Sequence, residues 1–536
     1  MQPHPRRGKR ESLKLASLNI RGRVSTIGGF RQEKWFEINN LLNSHRIALL
    51  AVQESHLTDE LARDVNSAFD GRLKVLHSPL PDNNNAAGVA IVINKDMLNA
   101  SEVTCETIIP GRAILATISR PSETTLNVLN VYAPNDTKRN EEFWGELNNA
   151  LESSPQRKPD IMLGDFNLVE DSLDRLPCHP DDPNAVAALG TLKANYSLID
   201  GWRRTNPERR AYTHQHIPNA SQGRIDRIYI SDELLRPAAE WQITNSPIET
   251  DHWMVSVRVS TPEAPHIGKG RWQIPTYVID HRGVLEEIDT MGKAALGEME
   301  ATRYRRTATN NPQTIFATLK TKIIALCRSR AKKIHPTIMN KIKKQKDKLD
   351  TILNDPLVPE EDRMLESITI KTNILELERI LFEVNRTYAK TKQHVHAETI
   401  CRDWIRSNRA RKPRDTIYRL YNPLDAVRQP ESDSERMAQR AKEYHDRLQQ
   451  NDRDPTQDPD PAKLNQVLEN ITTRTTPDQK SKLANYLAWG ESHRAISESG
   501  NDKAAGLDGI PMELWKRMSA RFDAFIDQPQ THTVTS

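Results

Sequence analysis

Between residues 12 and 260, short apolar runs recur at 13–18, 47–52, 88–93, 113–118, 126–132, 160–163, 225–230 and 253–259. Each is rich in Val, Ile and Leu and is bounded by Asn, Asp, Gly or Pro, which predicts strands. Val89, Ile91 and Ile93 alternate with Ala90 and Val92. Both faces of that strand are apolar, so it is expected to be covered on both sides. Helical periodicity separates some of the runs, at about 30–44, 141–153 and 185–195. Long strands mixed with a few helices predict an α/β or α+β layered domain of about 250 residues.

The pattern changes after a Pro-containing stretch at 260–275. From 276 to about 450 the chain reads as helices, and residues 301–350 hold 14 Lys/Arg against 2 Asp/Glu. Such a run is either a solvated helix face or a surface for phosphates. Ile370, Ile374, Leu377, Leu381 and Val384 form an a/d-type stripe. The stripe is only about two heptads long, which favours an intramolecular helix hairpin over a coiled-coil dimer. A polar, Pro-rich linker follows at 451–463, then helical patterns at 477–498 and 512–525, and a tail at 528–536 without periodicity.

Composition narrows the classes. The 536 residues suggest about three to five units. With 76 Lys+Arg and 72 Asp+Glu the net charge is +4, too even for the whole chain to be a basic glove. A hydrophobic fraction of 37% and a mean hydropathy of −0.69 allow a sizeable core over only part of the length. No apolar run long enough for a transmembrane helix is present, and the basic start lacks the apolar core of a secretory signal. Cys105, Cys178, Cys327 and Cys401 lie far apart with no CxxC pair, so a reducing compartment is expected rather than a disulfide framework. His214 and His216 form an HxH pair, but no third ligand stands at a helpful spacing, so zinc is not expected.

The chain has no Walker A loop, HExxH or GxSxG motif. Its candidate chemistry lies in acidic and amide residues at predicted strand ends: Asn19, Gln53-Glu54, Asn130-Val131-Tyr132, Gly164-Asp165-Phe166-Asn167, Arg224-Ile225-Asp226 and Asp251-His252. Polar groups there project into the loops above a sheet edge. Carboxylates from several strands can converge on one hard cation, and a carboxylate bonded to a neighbouring His fixes its tautomer. That is equipment for metal-assisted hydrolysis of a phosphate ester.

This ordered series resembles the endonuclease/exonuclease/phosphatase superfamily, which includes deoxyribonuclease I and the apurinic/apyrimidinic endonucleases. The resemblance implies a four-layer α/β sandwich, two packed β-sheets flanked by helices. It implies Glu54 as chief Mg²⁺ ligand (Mn²⁺ as substitute), with Asn19 supporting the metal shell or holding Glu54, and Asp251 at the metal. It places Asp165 and His252 at the attacking water and phosphate, with Asp226 bonded to His252. Asn167 and Tyr132 would donate to phosphate oxygens. Arg21 stands where many relatives have an acid or amide, which leaves a second metal position in doubt. Arg21, Arg224 and Thr213 are expected to meet nucleic acid.

A second fragment, Lys503-Ala504-Ala505-Gly506-Leu507-Asp508-Gly509-Ile510-Pro511, is similar to the opening of the reverse-transcriptase fingers in non-LTR, LINE-like retrotransposons. In those polyproteins an apurinic-type endonuclease precedes a helical connector and the polymerase. The resemblance divides the chain into a disordered basic N-terminus (1–11), the endonuclease-like domain (12–262), a basic helical connector (263–450), a linker and helix (451–480), a truncated fingers segment (481–527) and a disordered tail (528–536). The function it implies is a Mg²⁺-dependent DNA endonuclease leaving a 3′-hydroxyl nick, as in target-primed retrotransposition. No polymerase activity is expected. The alternatives are a phosphatase acting on phosphoinositides, or an inactive remnant that only binds nucleic acid. DNA is the expected partner, with element RNA a candidate for the basic helices and no membrane. The substrate implies the nucleus, or otherwise the cytoplasm.

Overall fold

The computed structural model describes residues 9–10, 12–22, 33–81, 87–119, 125–153, 155–216, 220–260, 266–267, 272–279, 281–334, 336–396, 417–421, 430–450, 461–470, 475–484, 489–500, 505–506 and 508–526. They form two compact units: residues 1–267 with 341–437, and residues 268–340 with 438–536.

The first unit is built on two six-stranded mixed sheets. One contains β1 (Leu13–Asn19), β2 (Leu49–Gln53), β3 (Leu73–Ser78), β4 (Val89–Asn94), β11 (Ala238–Thr244) and β12 (Met254–Val259). Its order is β11-β12-β1-β2-β4-β3. The other contains β5 (Val103–Ile109), β6 (Ala113–Ser119), β7 (Thr125–Tyr132), β8 (Ile161–Asp165), β9 (Leu198–Asp200) and β10 (Asp226–Ser231). Its order is β9-β10-β8-β7-β6-β5. The inner faces pack together through Leu49, Ile91, Val128 and Leu163, all fully buried. Helices α1 (Glu33–His45) and α2 (Asp59–Ala68) cover the outer face of the first sheet. Helices α3 (Thr137–Glu152) and α4 (Pro183–Asn195) cover the second. The result is the expected four-layer sandwich: the central strands are apolar on both faces because both are covered.

Topology gathers the expected site at one edge. β1 and β2 run parallel and end at Asn19 and Gln53. β7 and β8 run parallel and end at Tyr132 and Asp165. β10 is antiparallel to β8 and begins at Asp226, opposite Asp165. β12 is antiparallel to β1 and begins just after His252. The ends of two parallel pairs and the starts of two antiparallel strands therefore share one rim. A buried amide pair ties the sheets beneath it. Gln53 Nε2 donates to Asn130 Oδ1 (2.6 Å), and Asn130 Nδ2 donates to the carbonyls of Val52 (3.0 Å) and Ala90 (2.9 Å).

Helices beyond the sheets belong to both units. From Lys341 onward, α7 (Pro336–Asn354) lies in the first unit together with α8 (Glu360–His396). Ile370 and Ile374 of the predicted stripe pack there with Leu176 and Tyr212. The side chains of Leu381 and Val384 lie outside the described residues. In the second unit, α5 (Arg282–Ala301) and α6 (Pro312–Ile334) pack with α9 (Met512–Ile526) around Ile288, Ile323 and Leu514. There Gly509 (φ 72°) passes Trp272 so closely that a Cβ would lie 2.3 Å from its carbonyl oxygen. Asp508 pairs with Lys320 (3.1 Å).

The single helical connector expected over 263–450 is thus divided between two units. Lys9 and Arg10, expected in a disordered terminus, pair with Ile267 and His266. Residues 1–8, the linker core 451–460, Lys503, Cys401 and the tail lie outside the described residues. Cys105, Cys178 and Cys327 are free thiols. No described helix is long and apolar enough to cross a membrane.

Gly164 lets β8 enter its turn: at φ 151° an added Cβ would lie 1.9 Å from the Val131 carbonyl oxygen. Backbone cannot yield as a side-chain tip can. Gly164→Ala is therefore expected to lower unfolding stability by roughly 2–4 kcal/mol, read as a lower urea midpoint.

Candidate active site

The polar strand ends form one continuous network. Asn19 is fully buried, and its Nδ2 donates to both Glu54 Oε1 (2.9 Å) and Asp165 Oδ2 (2.9 Å). The backbone N–H of Arg21 donates to Asn19 Oδ1 (2.9 Å), which fixes the amide's orientation. Asn19 therefore holds two carboxylates, Glu54 as expected and Asp165 besides, while its oxygen accepts from the Arg21 backbone. Tyr132 donates its hydroxyl to Glu54 Oε1 (3.0 Å), and the guanidinium of Arg112 lies 4.7 Å over its ring. Arg21, Glu54 and Asn167 have φ near 50°, in the left-handed region that L-residues seldom enter. This clustering of costly backbone marks a site whose side chains must be aimed.

His252 sits among three carboxylates. Its Nδ1 lies 2.9 Å from Asp226 Oδ2, and its Nε2 lies 4.0 Å from Asp165 and 3.9 Å from Asp251. Burial pulls this imidazole's pKa down, but Asp226, Asp165 and Asp251 outweigh it and push it up to about 9. The ring is thus a cation at neutral pH, with Nδ1–H donating to Asp226. Asp165 is raised by burial first and by repulsion from Asp226 second, with His252 and Asn19 only partly opposing. Burial would raise Asp251 as well, yet His214, His252 and Arg21 hold it down to about 2. Burial and then Glu54 raise the Tyr132 hydroxyl, so it stays a neutral donor. Asn167 receives its turn from Asp165, which accepts its backbone N–H (3.0 Å), and its Nδ2 donates to the Ala133 carbonyl (2.9 Å).

The expected nucleic-acid contacts separate. Arg21 is 63% exposed and reaches Asp251 Oδ2 (3.0 Å), so it stands open to a ligand. Thr213 is fully buried, and its Oγ1 accepts the backbone N–H of Asp226 (3.0 Å). It orients the partner of His252 and cannot touch DNA. Arg224 is also buried, bonded to Asp174 Oδ2 (2.6 Å) and Asp200 Oδ2 (2.8 Å). Its charge is spent inside the protein, which overturns the expected contact.

His214 was assigned no role by sequence, yet it joins the site. Its backbone pairs with His252, the two rings lie 4.6 Å apart, and its Nε2 is 3.7 Å from Asp251 Oδ2. Of the HxH pair, His214 is brought to residues 251–252 by a non-local contact that spacing does not show. His214, Asp251 and His252 form one group able to hold an ion, and Asp165, Asp226 and His252 form another. A divalent cation also suits Glu54 and Asp251 as hard oxygen donors. Among the described residues Asp251 Oδ1 is buried without a hydrogen-bond partner.

Because the folded pKa of His252 lies above the ordinary value of about 6.5, its cationic form stabilises the fold fully below that pH. The contribution fades as pH rises through 9. In EDTA, the Tm advantage of the wild type over His252→Gln is expected to shrink between about pH 6 and about pH 9.5. An advantage constant with pH contradicts the imidazolium–Asp226 pairing.

Residues 16–256 match the model of the Endonuclease/Exonuclease/phosphatase family. An uncharacterized 149 kDa protein of transposon TX1 from Xenopus laevis is 30% identical over 281 residues, which are 52% of this chain. The chain spans about 20% of that relative's length. Among solved structures, the AP endonuclease LMAP from Leishmania major is 15% identical, with a TM-score of 0.40 over 47% of this chain and 88% of that one. The endonuclease domain of TRAS1, a telomere-specific non-LTR retrotransposon, is 13% identical, with a TM-score of 0.34 over 47% of this chain and 99% of that one. With the family match and the carboxylate–histidine network on the same strand ends, residues 16–256 are a domain of the endonuclease/exonuclease/phosphatase family.

Proposed function

We propose that this domain is a metal-dependent DNA endonuclease that hydrolyses one phosphodiester to leave a 3′-hydroxyl nick, the primer end a retroelement needs. The observation that carries the reading is the buried trio of His252, 2.9 Å from Asp226, and Asp165, 4.0 Å from His252. The likeness to a transposon protein supports the biological setting. Glu54, with Asp251 as the second oxygen donor, would hold Mg²⁺ or Mn²⁺, which supplies charge stabilisation to the phosphate and the leaving oxygen.

The chain's own groups do the rest. Asp165, with its proton affinity raised, takes a proton from the attacking water. The water oxygen bonds to phosphorus as the bond to the 3′ oxygen breaks, and that oxygen leaves as a hydroxyl by taking a proton from a solvent water. The His252 cation faces the charge that develops on the phosphate. Tyr132 and Asn167 add neutral donors, and Arg21 adds an exposed cation. Element RNA is the proposed partner of the exposed Lys341, Lys343, Lys344 and Lys348 on α7. The substrate puts the reaction in the nucleus.

Purified chain with supercoiled plasmid and Mg²⁺ is expected to give open circles whose 3′ ends a polymerase can extend. Asp165→Ala and His252→Ala should each slow nicking by about 10²–10⁴-fold, and EDTA should abolish it. Phosphate release from an inositol lipid without nicking, or DNA binding without turnover, contradicts the proposal.

A further inference from the structure

The family match ends at residue 256, but the packing around the site does not. Lys371 of α8 is 2% exposed. Its ammonium lies 4.9 Å from the Trp253 ring centroid and 5.9 Å from that of Tyr212, and it donates to Gln222 Oε1. Trp253 follows His252, and Tyr212 precedes Thr213. Gln222 lies in the strand paired with His214–Gln215, and its Nε2 donates to Ser367 Oγ of α8 (2.7 Å). The two site-bearing segments are themselves joined by backbone: Trp253 N–H donates to the Thr213 carbonyl (2.6 Å) and Gln215 N–H to that of Asp251 (3.3 Å). One cation therefore sits against the aromatic residues flanking both segments.

Filling space does not account for this lysine. An apolar side chain of similar length would pack beside Ile370 and Ile374 with no desolvation cost. Burial alone pushes the ammonium's pKa down to about 7, with no carboxylate offsetting it. A polar head buried at such cost is expected to contribute direction, here by donating to one amide oxygen between two ring faces.

We propose that Lys371 is a positioning residue of the nuclease site, which pins segment 212–215 to segment 251–253 and so aims Thr213, His214, Asp251 and His252. The proposal rests on the nuclease reading. It makes helix α8, outside the family-matched residues, part of the working enzyme.

The test compares full-length wild type with Lys371→Met. Removing a buried charge should leave Tm equal or higher, whereas amide hydrogen exchange at 212–215 and 251–253 should quicken. Plasmid nicking should lose about tenfold or more in kcat, as for loss of an outer partner of a site ligand. KM for DNA should hold within about twofold, because no charge facing the substrate changes. Should the thioether fail to pack, Lys371→Gln, which keeps a donor for Gln222 without the charge, reads the same quantities. Unchanged exchange overturns the pin whatever kcat does, and unchanged kcat reduces Lys371 to a space-filler. If the wild type nicks nothing, the nuclease reading falls and exchange alone decides the pin.

Discussion

One side-chain amide decides the chemistry of this domain. Asn19 ends a strand of one sheet, Glu54 follows the neighbouring strand, and Asp165 ends a strand of the opposite sheet. Two carboxylates brought together repel each other, and burial raises the proton affinity of Asp165. Asn19 Nδ2 donates to both at 2.9 Å, which sets their spacing without neutralising either. The compensating positive charge comes from the other side, on His252. Its cationic state is in turn set by Asp226, whose backbone is held by the buried hydroxyl of Thr213. Each member of the network is thus fixed by another, so the arrangement is one preorganised unit.

The sheets exist to bring that unit together, and the sequence shows them unevenly. The eight runs read as strands all became interior strands of the two large sheets, because an interior strand is covered on both faces and spells itself as an apolar run. The strands without a clear signal, β3, β5, β9 and β11, are the four edges of the two sheets. Edge strands face water and carry residues such as Lys74, Glu106 and Glu240, which break the apolar pattern.

The site was legible in its members but not in their partners. Glycine and amide spelling pointed to Asp165, Asn167, Asp226 and His252, and the structure brings these together. What spacing does not contain is side-chain direction and long-range contact. Arg224 and Thr213 stand beside functional residues in sequence yet turn inward, Arg224 to Asp174 and Asp200. Asn19 holds Glu54 as expected, and its second bond, to Asp165 of the opposite sheet, is one that spacing does not show. His214 enters only because its strand meets residue 252, and Lys371 only because its helix returns to Tyr212, Gln222 and Trp253.

Where a divalent ion settles decides whether Glu54 is a metal ligand. Anomalous diffraction from crystals of the chain soaked in Mn²⁺ measures this directly. The predicted result is a peak in contact with the Glu54 carboxylate, on the side of the network that holds Asp165 and His252. A peak confined to other surface carboxylates, with Glu54 still bonded only to Asn19 and Tyr132, would contradict it.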